Sequence, residues 1–258
     1  MENLEKFVLP IVRKTREITF PSFGTAKILE NKGKYACDIV TELDRAVEVY
    51  LKEELNKIYP DIEFVGEEFG GNRDAKRFWL VDPIDGTGLY LRGLVGCTTM
   101  IALIEDGQVI FSAIYDFVND VMYHAEKDKG TYRDNERIHV SDRQSGDSYM
   151  AWETHWDKSE NMEILLSLHK YSSFMKFLAS GYEFILIAEG KLEGKVVFDP
   201  YGKDYDFAPG TLIVSEAGGV VTNLGLSTYD YKNYSFLAVN VPMYKKLTEG
   251  PDALFPIK

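Results

Sequence analysis

Cysteine is scarce in this sequence. Cys37 and Cys97 are the two present among 258 residues. They lie too far apart to describe a disulfide framework, and a reducing, cytoplasmic setting is expected. No apolar stretch approaches the ~20 residues needed to span a bilayer. The N-terminus has no basic segment followed by an apolar run, so neither a signal peptide nor a membrane partner is expected. Positive charge is also short: 29 Lys and Arg stand against 41 Asp and Glu, a formal net charge of −12. Without a basic stripe to neutralise phosphates, a nucleic acid polymer is excluded as an expected partner. The phosphate loop that ends in Lys and Ser or Thr is missing, which excludes nucleoside triphosphate binding through that device. His124, His139, His155 and His169 are scattered and are read as ordinary surface or core residues. No repeat or low-complexity segment is visible.

What is present centres on Trp79 to Gly93, WLVDPIDGTGLYLRG. An apolar strand runs into Asp82 and Asp85, which bracket Pro83 and Ile84. Pro83 fixes its own φ and keeps Asp82 extended. Two carboxylates on such a rigid turn can converge on one point, with the Ile84 carbonyl beside them. Gly86 permits close backbone approach, and Thr87 adds a hydroxyl next to amides that can form an anion nest. Carboxylates facing an anion nest make chemical sense when cations sit between them, as in a metal-assisted phosphate site. The structural alternative is an Asp-Pro, Asp-Gly turn that merely closes a strand.

The periodicity predicts mixed α and β structure, with a helix-flanked sheet in each half. A helix is expected over residues 3–19, kinked at Pro10, then a polar loop around Glu30 to Lys34. DIVTELD, Asp38 to Asp44, leads into a second helix ending at Tyr59. Strands are expected at Ile62 to Val65 and Phe78 to Val81, separated by a Gly-Gly-Asn turn. A hairpin of Cys97 to Ile104 and Val109 to Tyr115 continues into a meander over Val121 to Ala125 and Gly130 to Tyr132. After about residue 145 strands and helices alternate. Strands are expected at Tyr149 to Thr154, Phe174 to Leu178, Val196 to Phe198, Gly219 to Thr222 and Phe236 to Val239. Helices are expected at Glu160 to Lys170, Tyr182 to Glu189, Asp206 to Ala217 and from Val241. The chain is read as one unit, 1–258, with halves 1–145 and 146–258.

Three further acidic clusters stand out: Asp38, Thr41 and Asp44; Gly66, Glu67 and Glu68; and Asp206 within YDFAPGTLIVSEAGG. Helix capping is the alternative for the first and third, and a solvated acidic turn for the second. Together DIVTELD, GEE, WLVDPIDGT and YDFAPG…EAGG, in that order, resemble the inositol monophosphatase family of magnesium-dependent, lithium-sensitive phosphomonoesterases. The resemblance spans about residues 5 to 245. It implies a five-layer αβαβα sandwich, a homodimer and a small phosphorylated metabolite as substrate. It implies Glu67, Asp82, Asp85, Asp206 and the Ile84 carbonyl as ligands for two or three Mg²⁺ per site, with Mn²⁺ possible. Asp44 and Thr87 would activate the attacking water, with Glu67 counted in the same catalytic set. Gly86 and Thr87 would hold the phosphate, and Asp199 and Asp206 would contact the rest of the substrate. All these donors are oxygens, which independently favours magnesium or manganese over zinc.

The departures concern substrate. Leu178 to Tyr182, LASGY, replaces a small-residue helix start that touches substrate in the family; the functional reading is a re-shaped pocket, and the alternative is neutral drift in packing. Pro209 is expected in the first turn of its helix, where no N–H partner is lost. Inositol or sugar monophosphate is the leading substrate class. Fructose bisphosphate, histidinol phosphate and 3′-phosphoadenosine 5′-phosphate stay open, as does a non-catalytic sugar-phosphate sensor or scaffold.

Overall fold

The computed structural model describes residues 3–31, 39–144, 146–175 and 179–258. Expectations for Cys37, Asp38 and Leu178, and for the loop at 32–34, lie outside the described residues. The first half contains α1 (Leu4–Lys14), α2 (Arg16–Thr19), β1 (Ile28–Asn31), β2 (Ile39–Thr41), α3 (Glu42–Ile58), β3 (Glu63–Gly66), β4 (Arg77–Asp85) and α4 (Thr87–Tyr90). A meander follows: β5 (Thr98–Glu105), β6 (Gln108–Asp116), β7 (Val121–Glu126), β8 (Gly130–Arg133) and β9 (Glu136–Ile138). The second half contains β10 (Tyr149–Glu153), α5 (Ser159–Leu168), β11 (Ser173–Phe174), α6 (Ser180–Ala188), β12 (Gly194–Val197), α7 (Asp204–Glu216), β13 (Val220–Asn223), β14 (Phe236–Val239) and α8 (Val241–Thr248).

Strands β3 to β9 form a seven-stranded sheet in sequence order. Only β3 and β4 are parallel in it; every later pair is antiparallel. The second sheet has five strands in the order β11-β10-β12-β14-β13. The apolar residues of α1 and α3, such as Val8, Val47 and Leu51, pack on Trp79, Val81 and Ile101 from one face of the first sheet. The other face, through Met100 and Ile114, meets Phe184, Ile187, Phe207 and Ile213 of α6 and α7. These two helices also cover Val197, Phe236 and Ala238 of the second sheet. Leu165 and Leu168 of α5 and Met243 and Leu247 of α8 cover its far face. The layers therefore run αβαβα, as the resemblance implied, and α6 and α7 are enclosed on both sides.

Several local expectations need correction. The 3–19 helix is broken at Thr15, whose hydroxyl bonds back to the Val12 carbonyl at 2.7 Å. Pro10 lies inside α1 without ending it. Glu30 belongs to β1 rather than to a loop. The short strand β9 was not foreseen. Asp82 and Asp85 do not sit on a turn after the strand; β4 continues through both. Helix α7 starts at Asp204, so Pro209 is buried in its second turn, where it has no N–H for the Tyr205 carbonyl.

The two enclosed helices approach closely at Gly210. A Cβ there would lie 1.9 Å from Phe184 Cδ2. On helix propensity alone Gly210→Ala stabilises by about 1 kcal/mol. The clash dominates in so enclosed a layer, so a net loss of about 1–3 kcal/mol is expected in urea unfolding. A variant as stable as the parent contradicts this packing.

Candidate active site

A regular strand points residues three apart to opposite faces. Phe78 and Leu80 face the central helices, in a core with Ala208, while Trp79 and Val81 face α1 and α3. Asp82 continues the inward row. The register of β4 against β5 then shifts between Asp82 and Asp85. This bulge absorbs Pro83 and Ile84 and resets the alternation. Ile84 joins the outer core, and Asp85 turns inward to meet the start of α6. Pro83 suits such a place, since a bulged residue has no ladder bond to lose. Its carbonyl accepts from Thr99 Oγ1 at 2.8 Å. Gly86 follows at φ +82°, and a Cβ there would lie 2.6 Å from the Ala179 Cβ.

Asp85 is gripped on both oxygens. Oδ1 accepts from the Ser180 amide at 3.2 Å, and Oδ2 from the Gly181 amide at 2.7 Å and Thr98 Oγ1 at 3.1 Å. Gly181 is required for this approach. A Cβ on it would lie 2.4 Å from Thr98 Oγ1 and 2.9 Å from Asp85 Oδ2. Gly181, within the LASGY departure, thus serves the hold on Asp85.

Asp44 and Asp206 each occupy the third position of a helix. Asp44 Oδ2 accepts from the Thr41 amide at 2.8 Å and Thr41 Oγ1 at 2.6 Å, closing a capping box. Its Oδ1 lies 3.1 Å from Thr87 Oγ1. That hydroxyl is also 3.0 Å from the Ile84 carbonyl, and its single proton serves one of them at a time. Asp206 Oδ2 takes the Lys203 amide at 2.6 Å. Each carboxylate caps with one oxygen, so capping and service in a site are not alternatives here.

Ligand oxygens of Asp82, Asp85 and Asp206 all lie within 4.8 Å of one another. Glu67 stands outside this tightest set, but its charge acts on both Asp82 and Asp206. Asp199 is not in this set: Lys158 Nζ donates to it at 2.6 Å and Asn161 Nδ2 at 2.8 Å, and these partners hold its carboxyl below the usual range.

Burial, then repulsion from Glu67 and Asp85, pushes the Asp82 carboxyl far above the ordinary carboxylate range. Burial and then Glu153 do the same to Asp206. Asp85 is pushed up to about 6 by burial, against the pull of the Gly181 amide and Lys195. Burial also raises Asp44. Tyr205 is raised by burial and by Glu67, Asp206 and Asp82. Like charges ~4 Å apart repel by about 4 kcal/mol at an effective dielectric of 20. Such a group ionises fully only with a cation among its members. The Oδ1 atom of Asp82 is buried with no hydrogen-bond partner among the described residues. An orphaned carboxylate oxygen within an all-oxygen donor set fits a hard divalent cation.

The sequence reading missed Glu48, Glu153, Glu183, Lys195 and Thr98. Glu48 is fully buried and accepts from the Glu68 and Phe69 amides at 2.7 and 2.9 Å, holding the Gly-Glu-Glu turn. Its signal was the helical spacing of Asp44, Glu48, Leu51 and Leu55. Lys195 sits in a strand where every residue is buried, and a lone lysine in such a run was the available sign. Cys97, also near Gly86, is buried, and its thiol is pushed up to about 12.

The inositol monophosphatase family model matches residues 1–251. The chain belongs to that family. A fructose-1,6-bisphosphatase/inositol-1-monophosphatase of Aquifex aeolicus is 29% identical over 238 residues, 87% of this chain and 88% of its own. The Nus factor SuhB of Pseudomonas aeruginosa is 26% identical over 260 residues, 96% of this chain and 95% of its own. The solved IMPase of Thermotoga maritima matches the fold with a TM-score of 0.86 at 24% identity, over 95% of each chain. As an inositol monophosphatase family member the protein is a phosphomonoesterase, and its acidic cluster fits the divalent metals that the family uses. No helix among the described residues is long and apolar enough to cross a membrane.

A test follows from the raised carboxyls. In the metal-free folded chain, burial and mutual repulsion favour the protonated forms of Asp82, Asp85 and Asp206, which the unfolded chain ionises near pH 4. Their contribution to stability is therefore complete below about pH 4 and is lost as pH rises, through about 6 for Asp85. The Tm of metal-free protein should fall between about pH 5 and pH 8 through this linkage, and Asp82→Asn should flatten that fall. Added Mg²⁺ should raise Tm more at the higher pH. Equal metal-induced shifts at both pH values contradict the proton–cation competition.

Proposed function

We propose that the protein hydrolyses a small phosphate monoester, an inositol or sugar monophosphate, with magnesium. The observation that carries the reading is the convergence of Asp82, Asp85 and Asp206 around an unpartnered Asp82 oxygen, close to the Asp44–Thr87 pair. In this reading Asp82, Asp85, Asp206, Glu67 and the Ile84 carbonyl hold two or three Mg²⁺ ions, which Mn²⁺ can replace. Bound there, the cations supply positive charge to the phosphoryl and leaving oxygens and acidify water.

The chain's own groups do the rest. Thr87 donates its proton to Asp44 and turns a lone pair toward the attacking water, which it orients. Asp44, raised by burial, is suited to take the water's proton. The water oxygen bonds to phosphorus as the ester P–O bond breaks in line; the water's proton goes to Asp44, and the leaving alkoxide takes a proton from solvent. No enzyme atom bonds to phosphorus. Gly86 and Thr87 hold the phosphate from the strand end. Asp199, steadied by Lys158 and Asn161, is a fixed acceptor for a substrate hydroxyl. Asp206 supports both metal and substrate. We also infer a cytoplasmic homodimer acting as one unit, with halves 1–145 and 146–258. The name of the Aquifex relative supports adding fructose bisphosphate to the substrates worth testing.

The test is phosphate release from inositol, sugar, fructose bisphosphate, histidinol and nucleotide phosphates, with Mg²⁺ and with chelator. Release from at least one inositol or sugar phosphate, abolished by chelator, is expected. Binding of a sugar phosphate without release from any compound supports a non-catalytic sensor instead. Asp82→Asn should lower turnover at least about 100-fold in saturating Mg²⁺, the size of loss for a group that stabilises transition-state charge. Turnover within about tenfold of the parent overturns its assignment as a metal ligand.

A further inference from the structure

Lys195 is fully buried in β12. Its Nζ lies 2.8 Å from Glu183 Oε2 and 3.4 Å from Glu153 Oε2, and donates to Ser180 Oγ at 2.7 Å. Lysine is almost never so buried without partners, and a well-packed apolar replacement for buried ions is often neutral or stabilising. Stability of the fold alone gives no reason for one ammonium between two carboxylates in this place.

The cluster connects to the acidic site along two routes. The first is Ser180, whose hydroxyl is shared between Lys195 and Glu153, 3.3 Å away. The amides of Ser180 and Gly181 are the ones that grip Asp85. The second is Glu153, whose Oε1 accepts from the Gly202 amide at 2.9 Å, just before the helix that carries Asp206. Glu153 also acts electrostatically on Asp206. One ammonium thus joins the segments behind two of the converging carboxylates.

We propose that Lys195 is a positioning residue for the divalent-metal site. It clamps the first turn of α6 and the approach to α7 through Ser180 and Glu153, and so fixes the directions of Asp85 and Asp206. The inference rests on the metal-site reading above. Charge and position predict opposite signs. A nearby cation repels a divalent ion, so if Lys195 acted only as a charge, its removal would tighten metal binding. If it acts by position, removal weakens binding.

Lys195→Met/Glu183→Gln separates the two effects, because the formal charge of the cluster is −1 before and after. Ser180→Ala breaks the hydroxyl link and leaves the ion pairs in place, so it tests the same idea in a chain with no unpaired ion. Binding of Mn²⁺ alone is measured by the loss of its free-ion paramagnetic resonance signal, without substrate, on protein whose folding is checked by circular dichroism. The double variant should bind Mn²⁺ about 10-fold or more weakly, the usual loss when a group behind a metal ligand is removed. Ser180→Ala should shift the same way. The Mg²⁺ concentration for half-maximal activity should rise in parallel, with kcat at saturating Mg²⁺ within about threefold of the parent. Parental or tighter Mn²⁺ binding in the double variant overturns the proposal. If the double variant does not fold, the same result with Ser180→Ala overturns it. A parent protein that takes up no Mn²⁺ overturns the metal-site reading itself, which is a different failure.

Discussion

The repulsion among buried carboxylates is the constraint on which the site depends. Asp82, Asp85 and Asp206 come from two distant stretches of chain, and each loses hydration on approach to the others. Hydrophobic burial in the two sheets and the enclosed helix layer has to hold them together against that cost. The surroundings reduce it unevenly. Among the described residues, Asp85 has two amides and a hydroxyl, Asp206 has one amide, and Asp82 keeps an oxygen with no partner. The residual deficit is concentrated where a cation relieves it best.

The backbone device behind this arrangement is small. One irregularity in β4 brings Asp82 and Asp85 to the same face, while Ile84 between them fills the opposite core. Helix geometry supplies the other members. Asp44 and Asp206 stand at third helical positions, where one oxygen closes the cap and the other is left over. The same side chains that start α3 and α7 are therefore aimed inward by the act of starting them.

Much of this was legible in the sequence. The order of the four motifs pointed to the family, and alternating apolar residues marked the meander and both sheets. Asp82, Asp85 and Thr87 stood out through the residue types and spacing of their string, whereas Asp44 and Asp206, equally readable as helix caps, were singled out by the family resemblance. The bulge was not, since Asp-Pro and Asp-Gly favour a turn locally and only pairing with β5 keeps them in the ladder. Glu48 and Lys195 were missed for a related reason. Local pattern assigns a charged residue to solvent, and only tertiary contact with the Gly-Glu-Glu turn or with Glu153 and Glu183 makes burial tolerable. Gly181 was read as a change in the pocket, because its approach to Asp85 joins segments 96 residues apart.

The notch at Gly210 has a mechanical consequence. With the Phe184 ring seated against it, α6 and α7 cannot slide past each other without a clash. Ser180 and Gly181 open one of these helices, and Asp206 lies in the first turn of the other. Sliding one helix against the other would therefore disturb the amides around Asp85 and the carboxylate of Asp206 together.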